Sequence, residues 1–476
     1  MGEKVKKEKG RFSRFGYIMV AAGAAIGLGN IWRFPPLAYE NGGGVFVIVY
    51  IIIAYLLGHS VVEMESALGR HTRVNAVDAY GKISKKWKFA GAINVICTVL
   101  IDMYYIIVSG YVLKYAIDFL VNFKTISTFE QGTDQAYNYY VNFISNPWQP
   151  LVYSVILMII IVVLLGFGIT ELVEKVTKVI LPALMVLLLI CGIWALFISP
   201  GAIDGLKTYI LPTAENWKVF TTNPETGAFT LKPFSNACVQ IMFSVGIGWA
   251  IFTTLGTSIK DSANIRKDSA WVTFLDTGIA ILAGFVIVPS VIGGGSTMKY
   301  GPSLIFQAMT EIFAKFPGGQ FIGFFFFLAI IFAVLSTYFT ILEIPVKVVE
   351  EKFKMSHLKA TIITAIVILI GGVFCSLSQG SGLLSNVLLP WPSVSGIAMY
   401  NIYDWIDCFS AYVLLPLGCL LTSFFITFKW GFKGYAAELL KDGRDGKFTT
   451  WNKIVASIIV PILTIIVILN VFGFLK

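Results

Sequence analysis

Apolar residues run along this chain in blocks of twenty or more, separated by short polar clusters rich in Lys and Arg. A helix needs roughly 20 such residues to cross a bilayer. The pattern predicts eleven membrane spans: 15–37, 45–69, 90–122, 150–167, 176–198, 234–258, 269–294, 320–349, 359–377, 396–428 and 453–474. Spans 3 and 10 are longer than the hydrocarbon layer requires, so tilt or extension beyond it is expected. The fold class is an all-α polytopic membrane protein.

The polar clusters orient the spans. With the N-terminus in the cytoplasm, 27 of the 36 Lys and Arg residues fall on cytoplasmic ends and loops, among them Lys4, Arg14, Arg70, Lys85, Lys260, Lys352, Lys433 and Lys447. That bias satisfies the positive-inside rule and places Lys476 outside. The expected location is the plasma (inner) membrane, multi-pass. No secretory signal is visible, because the Lys-rich start runs straight into a long segment containing Arg33. The expected organisation is a basic cytoplasmic N-terminus (1–14), a first five-helix repeat (15–198), an extracellular loop (199–233) and a second repeat (234–428). A basic cytoplasmic loop (429–452) and an eleventh helix with the C-terminus (453–476) follow. Two outer loops are long, 123–149 and 199–233. A third, 295–319, carries an apolar run after Tyr300 that reads as a short hairpin dipping inward, or equally as an interfacial helix.

Composition then closes off other classes. Of 476 residues, 57% are hydrophobic and 13% charged, which excludes an ordinary soluble domain. The net charge of +9 does not point to nucleic acid, since its distribution along the loops accounts for it. The six cysteines (Cys97, Cys191, Cys238, Cys375, Cys408 and Cys419) lie in or beside spans with no zinc spacing, so reduced thiols are expected.

Two spans break the apolar pattern. Span 1 holds Gly23-Ala24-Ala25-Ile26-Gly27-Leu28-Gly29-Asn30-Ile31-Trp32-Arg33-Phe34-Pro35. Gly and Pro weaken the helical ladder, and broken backbone at membrane depth is tolerated where it lines a cavity or is buried in protein. Small residues packed against a neighbouring helix are the competing reading; the intramembrane Asn30 and Arg33 favour a site. Span 6 holds Ser244-Val245-Gly246-Ile247-Gly248-Trp249. Interrupted spans five apart point to inverted-topology repeats, spans 1–5 and 6–10, each with a helix broken at the membrane midplane.

The residues 27–35, followed by Glu40-Asn41-Gly42-Gly43-Gly44, resemble the signature of the neurotransmitter:sodium symporter family. Glu65 to Arg70, Tyr104-Tyr105 and Ala333 to Thr337 follow in the family's order, so the resemblance covers spans 1 to 10. It implies a bacterial-type, eleven-span symporter for sodium and an amino acid, and no enzyme chemistry. It implies a first sodium site from the Ala25 carbonyl, Asn30, Ser244 and Asp276, completed by the substrate carboxylate. A second would use the carbonyls of Gly23, Ile26 and Ala333 with the hydroxyls of Ser336 and Thr337, although such hydroxyls often bond back to their own helix. The substrate carboxylate would also meet Tyr105 and the amides near Gly29, and its amine the carbonyls of Ala25, Phe243 and Ser244. Ala24, Ile101, Tyr105, Phe243, Gly246, Trp249, Thr337 and Ile341 would line the side-chain pocket.

Two positions refine this expectation. Gly27 stands where monoamine carriers of the family place Asp, so the substrate brings its own carboxylate. The small residues Ala24 and Gly246 suit a bulky hydrophobic or aromatic amino acid. Asp276 stands where many relatives have a neutral Asn, and Ala280, one turn on, cannot donate to chloride. Chloride-independent transport is therefore expected; the alternative is a buried Asp in a structural ion pair. The resemblance also implies an outer gate of Arg33 and Asp407, with Asp404 as a rival partner, above a lid of Phe243 and Tyr105. An inner gate at Glu351 would need Arg11 or Lys9 as its partner. Glu65 and Glu343 read as network residues, and Asp102, beside Ile101, either faces another helix or adds a polar or cationic preference to the pocket. A proton-coupled permease using Asp276 or Glu65, and a non-translocating amino-acid sensor, are the alternative functions. The oligomeric state is not legible.

Overall fold

A computed structural model describes residues 12–130, 133–166, 170–198, 201–224, 226–293, 298–299, 301–315, 317–393, 396–441 and 447–474. Among them, nine helices are long and apolar enough to cross a membrane: Gly44–Thr72, Lys85–Val121, Gln149–Gly166, Thr177–Trp194, Ile265–Gly293, Gly319–Phe353, His357–Leu377, Ile402–Leu439 and Thr450–Val471. Arg14–Ala25 and Gly29–Glu40, bent by 50° at their junction, make ten if counted as one span. The expected eleven is not reached on this measure because span 6 is divided into Lys232–Val245 and Ile251–Gly256, each too short to cross.

The local sequence explains both interruptions. Ser13 caps the first helix, its hydroxyl accepting from Gly16 N at 3.0 Å. The helix ends at Ala25, and the chain resumes in a wide turn over Gly29–Arg33 that closes with Phe34 N donating to Gly29 O. Pro35 and Pro36 follow, where neither can donate to that ladder. The break is therefore confined to residues 26–28, narrower than the glycine and proline content of 23–35 implies. In span 6, Gly246 and Gly248 have φ of 85° and 86°, and Ala250 has 69°. Three positive values within five residues end the helix, two of them at glycines that bear this conformation without strain.

Span 3 runs through the middle of the bundle and packs against spans 4, 8 and 9. Around it lies a continuous apolar core, while Ile362, Ile366 and Ile370 on span 9 and Ile48, Ile51, Ile52 and Tyr55 on span 2 face outward. An apolar exterior of this kind suits a lipid solvent. The Gly42-Gly43-Gly44 turn packs backbone to backbone on the outer loop: a Cβ at Gly43 or Gly44 would run into the carbonyls of Thr208 or Ile210. Spans 6 and 10 meet in the same manner, because a Cβ at Gly418 would strike Gly248 O and one at Gly248 would strike Leu415 O.

Several boundaries differ from the sequence expectation. Span 10 does not start at 396. Gly396–Tyr400 is a strand, paired antiparallel with Leu389–Ser393, and the helix begins at Ile402 behind an Asn401 cap. Pro390 and Pro392 sit in a two-stranded ribbon with no third strand to need their missing donors. The helix also runs beyond 428, through Gly431–Leu439, so the 429–452 loop is partly helical. The outer loops hold helices at Gln135–Ser145, Ala202–Ile210 and Ala214–Thr221. Within 295–319, Leu304–Met309 and Thr310–Lys315 are helical and buried except for the exposed Lys315, with Phe306 stacked on Tyr140; this favours the dipping segment over the interfacial helix, while Tyr300 lies outside the described residues. Five cysteines are free thiols, and the Cys191 side chain lies outside the described residues.

Candidate functional site

The two breaks face each other across the bundle, with spans 3, 7 and 8 closing the space between them. Span 7 contributes Asp276. Its Oδ1 accepts from Asn30 Nδ2 at 2.7 Å, and both its oxygens accept from Ser244 Oγ, at 2.9 and 3.0 Å. Asn30 Oδ1 in turn accepts from Gly27 N at 3.1 Å, which ties the amide to the break itself. Asn30, Ser244 and Asp276 are all buried. Asn30 and Ser244 thus both meet Asp276, which gathers the three side chains expected at the first sodium site around one carboxylate. Hard cations prefer such oxygens.

A second oxygen cluster forms where span 8 meets the end of the first helix. Thr337 Oγ1 lies 3.4 Å from Gly23 O, 3.3 Å from Ile26 O and 3.1 Å from Ala333 O. Ser336 Oγ is buried with no hydrogen-bond partner among the described residues. A Cβ at Gly23 would collide with that oxygen, so the glycine is what lets Ser336 approach. Three carbonyls, a hydroxyl that samples them and an orphaned hydroxyl form a donor set that fits a sodium ion.

The space between the breaks is lined as expected for Tyr105, Thr337 and Gly27. Tyr105 Oη accepts from Leu28 N at 3.4 Å, and a Cβ at Gly27 would sit 3.0 Å from both Tyr105 Oη and Thr337 Oγ1. Phe243 and Trp249 stack with centroids 6.0 Å apart, and the Phe243 ring lies against Gly29. Ala24, Ile101 and Ile341 are buried, as are Ala25 and Gly246 beside the two breaks.

Above Phe243 opens a cavity of about 1510 Å³, lined by Arg33, Tyr104, Phe243, Asp404, Asp407 and Tyr412 among others. Arg33 lies over the rings of Phe243 and Tyr412, at 5.0 and 5.2 Å. Cation–π contact of this kind is worth about 0.5–2 kcal/mol. No ion pair joins Arg33 to Asp407 or Asp404 among the described residues. Asp404 is held by Asn401 at 2.8 Å.

The opposite end is closed by ion pairs. Arg14 Nε meets the buried Asp268 at 2.8 Å, and Phe12 N donates to Ser258 O at 3.3 Å. Arg70 Nε meets Glu438 at 2.5 Å, and Arg73 and Lys441 both reach Asp261, at 2.9 and 3.0 Å. Burial alone would raise the Asp261 carboxyl, but hydrogen bonds from Lys441 and Arg73 and their charges hold it down at about 2. Glu351 accepts from Asn75 N and Nδ2, at 3.1 and 2.6 Å. Its expected partners Lys9 and Arg11 lie outside the described residues. Glu65 accepts from Gly248 N at 2.9 Å and so holds the span 6 break, and Glu343 lies 3.6 Å from His357.

The sequence reading missed Thr98, which donates to Trp249 O at 2.5 Å, and Gln240, which donates to Gly29 O at 3.0 Å. Both hold a broken backbone open from a neighbouring helix. Polar side chains within apolar spans are the signal that marks them.

The model for the sodium:neurotransmitter symporter family matches residues 10–138 and 142–475. A sodium-dependent transporter of Bacillus subtilis is 31% identical over 472 residues, covering 98% of both chains. Another, of Haemophilus influenzae, is 30% identical over 96% of this chain and 97% of its own. The human sodium- and chloride-dependent GABA transporter 2 is 27% identical over 71% of this chain and 61% of its own. The crystal structure of MhsT in complex with L-phenylalanine superposes with a TM-score of 0.83 at 30% identity, over 97% of this chain and 99% of that one. The chain therefore belongs to the sodium:neurotransmitter symporter family, a family of sodium-dependent membrane transporters.

Proposed function

We propose that this protein is a sodium-coupled symporter that imports a bulky hydrophobic or aromatic amino acid by alternating access, without chloride. The observation that carries the proposal is the pair of oxygen clusters at the span 1 break, one centred on Asp276 and one on Thr337. Gly27 lies between them with no side chain of its own, so an incoming α-amino acid supplies the carboxylate. That carboxylate reaches the Asn30 and Ser244 cluster and Tyr105, while Ala25, Phe243 and Ser244 carbonyls receive its amine. Sodium and substrate share a ligand shell, so each raises the other's affinity. Inward movement of each sodium charge gains ~2.3 kcal/mol per 100 mV of membrane potential.

Asp276 supplies a fixed negative charge beside the first sodium site, where Ala280 offers no hydroxyl for an anion. This supports chloride independence. The relative solved with L-phenylalanine supports the substrate class. The inverted five-helix repeats, the cytoplasmic N-terminus and the extracytoplasmic C-terminus belong to the same reading; Lys476 itself lies outside the described residues.

The test is uptake into proteoliposomes under an imposed sodium gradient, screened across the standard amino acids. Sodium-dependent accumulation of leucine, phenylalanine, tyrosine or tryptophan is expected, with an unchanged rate when gluconate replaces chloride. Uptake that persists without sodium would identify a proton-coupled permease instead.

A further inference from the structure

One buried carboxylate has no part in the arrangement above. Asp102 on span 3 is fully buried, and neither of its side-chain oxygens has a hydrogen-bond partner among the described residues. Isolated buried carboxylates are costly by several kcal/mol. A partner that stays within the fold would normally offset that cost, and none does so here.

Its position on the helix shows where a partner would come from. Thr98, Asp102 and Tyr105 are spaced by four and three residues, so they share one face of span 3. The two outer members of this stripe are anchored. Thr98 donates to Trp249 O at the span 6 break, and Tyr105 accepts from Leu28 N at the span 1 break. Asp102 lies between them and therefore faces the space between the two breaks. Span 8 closes the far side of that space, with Tyr338 Oη donating to the Asp102 carbonyl at 3.1 Å and its ring 5.3 Å from that of Tyr105. Ile101, next to Asp102 in the chain, and Ile341, one turn beyond Tyr338 on span 8, are both buried.

We infer that Asp102 is the specificity-determining acceptor of the side-chain subsite, and that it selects aromatic amino acids whose ring carries a hydrogen-bond donor. A phenol O–H or an indole N–H at the end of a flat apolar side chain matches one acceptor at the end of an apolar pocket. Phenylalanine and leucine fill the same walls but leave the carboxylate desolvated and unpaired. A site built around a buried acceptor discriminates against the ligand that lacks the donor. The inference rests on the amino-acid reading above and names the substrate within its class.

The experiment is displacement of sodium-dependent phenylalanine uptake in proteoliposomes by tyrosine, tryptophan, 1-methyltryptophan and lysine. Wild-type protein is expected to prefer tyrosine over phenylalanine, and tryptophan over 1-methyltryptophan, by about tenfold. In Asp102→Leu the tyrosine-to-phenylalanine ratio falls to near one, whereas Asp102→Asn, which keeps an acceptor, retains most of it. Ratios do not depend on how much of a variant folds, and the wild-type comparison needs no variant. Equal affinities for tyrosine and phenylalanine in wild type, an unchanged ratio in Asp102→Leu, or lysine as the tightest ligand would each overturn the inference. Absence of sodium-dependent uptake for every amino acid would instead remove the amino-acid reading beneath it.

Discussion

The two ends of the bundle are built on opposite principles. At the outer end, Arg33 and Asp407 line one wide cavity without pairing, and aromatic faces carry the cation. At the other end, Arg14, Arg70 and Arg73 are each locked to a carboxylate on a different element. The same residue types are present at both, and only their spacing differs. The bundle is thus open at the Arg33 and Asp407 end down to the Phe243 ring, and held by ion pairs at the Arg14 end. Under the alternating access proposed above these roles exchange, and the ion pairs are the contacts that break.

The largest expected effect lies between the two ends. Gly27→Asp would place a carboxylate where a Cβ already sits 3.0 Å from Tyr105 Oη and Thr337 Oγ1. Sodium-driven amino-acid uptake should be abolished; wild-type rates in this variant would show that the breaks do not hold the substrate carboxylate. Next, Thr337→Val keeps the shape of span 8 but removes a hydroxyl worth on the order of 1–2 kcal/mol. Half-maximal sodium for uptake should rise about tenfold.

The contrast between the ends can be tested by loosening the closed one. Asp268 is buried, but the Arg14 side chain is 54% exposed. Solvent screening therefore reduces the several kcal/mol typical of a buried pair to about 1–2 kcal/mol. Arg14→Ala should speed amide hydrogen exchange in the helix Arg14–Ala25, and unchanged exchange would mean the pair does not hold that end shut. The smallest effect concerns Asp261, whose carboxyl is held at about 2. Its folded value lies below the unfolded one of about 3.9. Its contribution is therefore complete above that unfolded value and fades as pH falls toward 2. Asp261→Asn should slightly lower the thermal midpoint at neutral pH, and the difference from wild type should vanish in strong acid.

Much of this architecture was legible in the residue pattern because membrane spans obey one dominant rule, the cost of exposing backbone to lipid. Span boundaries were read closely where charged loops flank them, as at His357–Leu377 against the expected 359–377. They were misread where an apolar run serves a different structure. Gly396–Tyr400 is apolar enough to extend span 10, but it pairs as a strand with a proline-bearing partner. The glycines, Asn30 and Arg33 were chemically out of place in an apolar span and drew the reading to span 1, whereas the Ser336-Thr337 pair looked like ordinary back-bonding hydroxyls and entered only through the family resemblance. Residues whose importance depends on a distant partner were not visible. Nothing local to Arg14 names Asp268, 254 positions away, and nothing local to Thr98 names the Trp249 carbonyl.

The contact between Gly248 and Gly418 has a mechanical consequence. Where side chains stand between neighbouring backbones, they can absorb a small displacement by changing rotamer. Here one main chain rests on another with no compliant layer between them. A shift of the span 6 break therefore bears directly on span 10, which carries Asp407 at the vestibule and Glu438 at the sealed end. Gly418 thus joins the span 6 break, with no side chain between, to a helix that reaches both ends of the bundle.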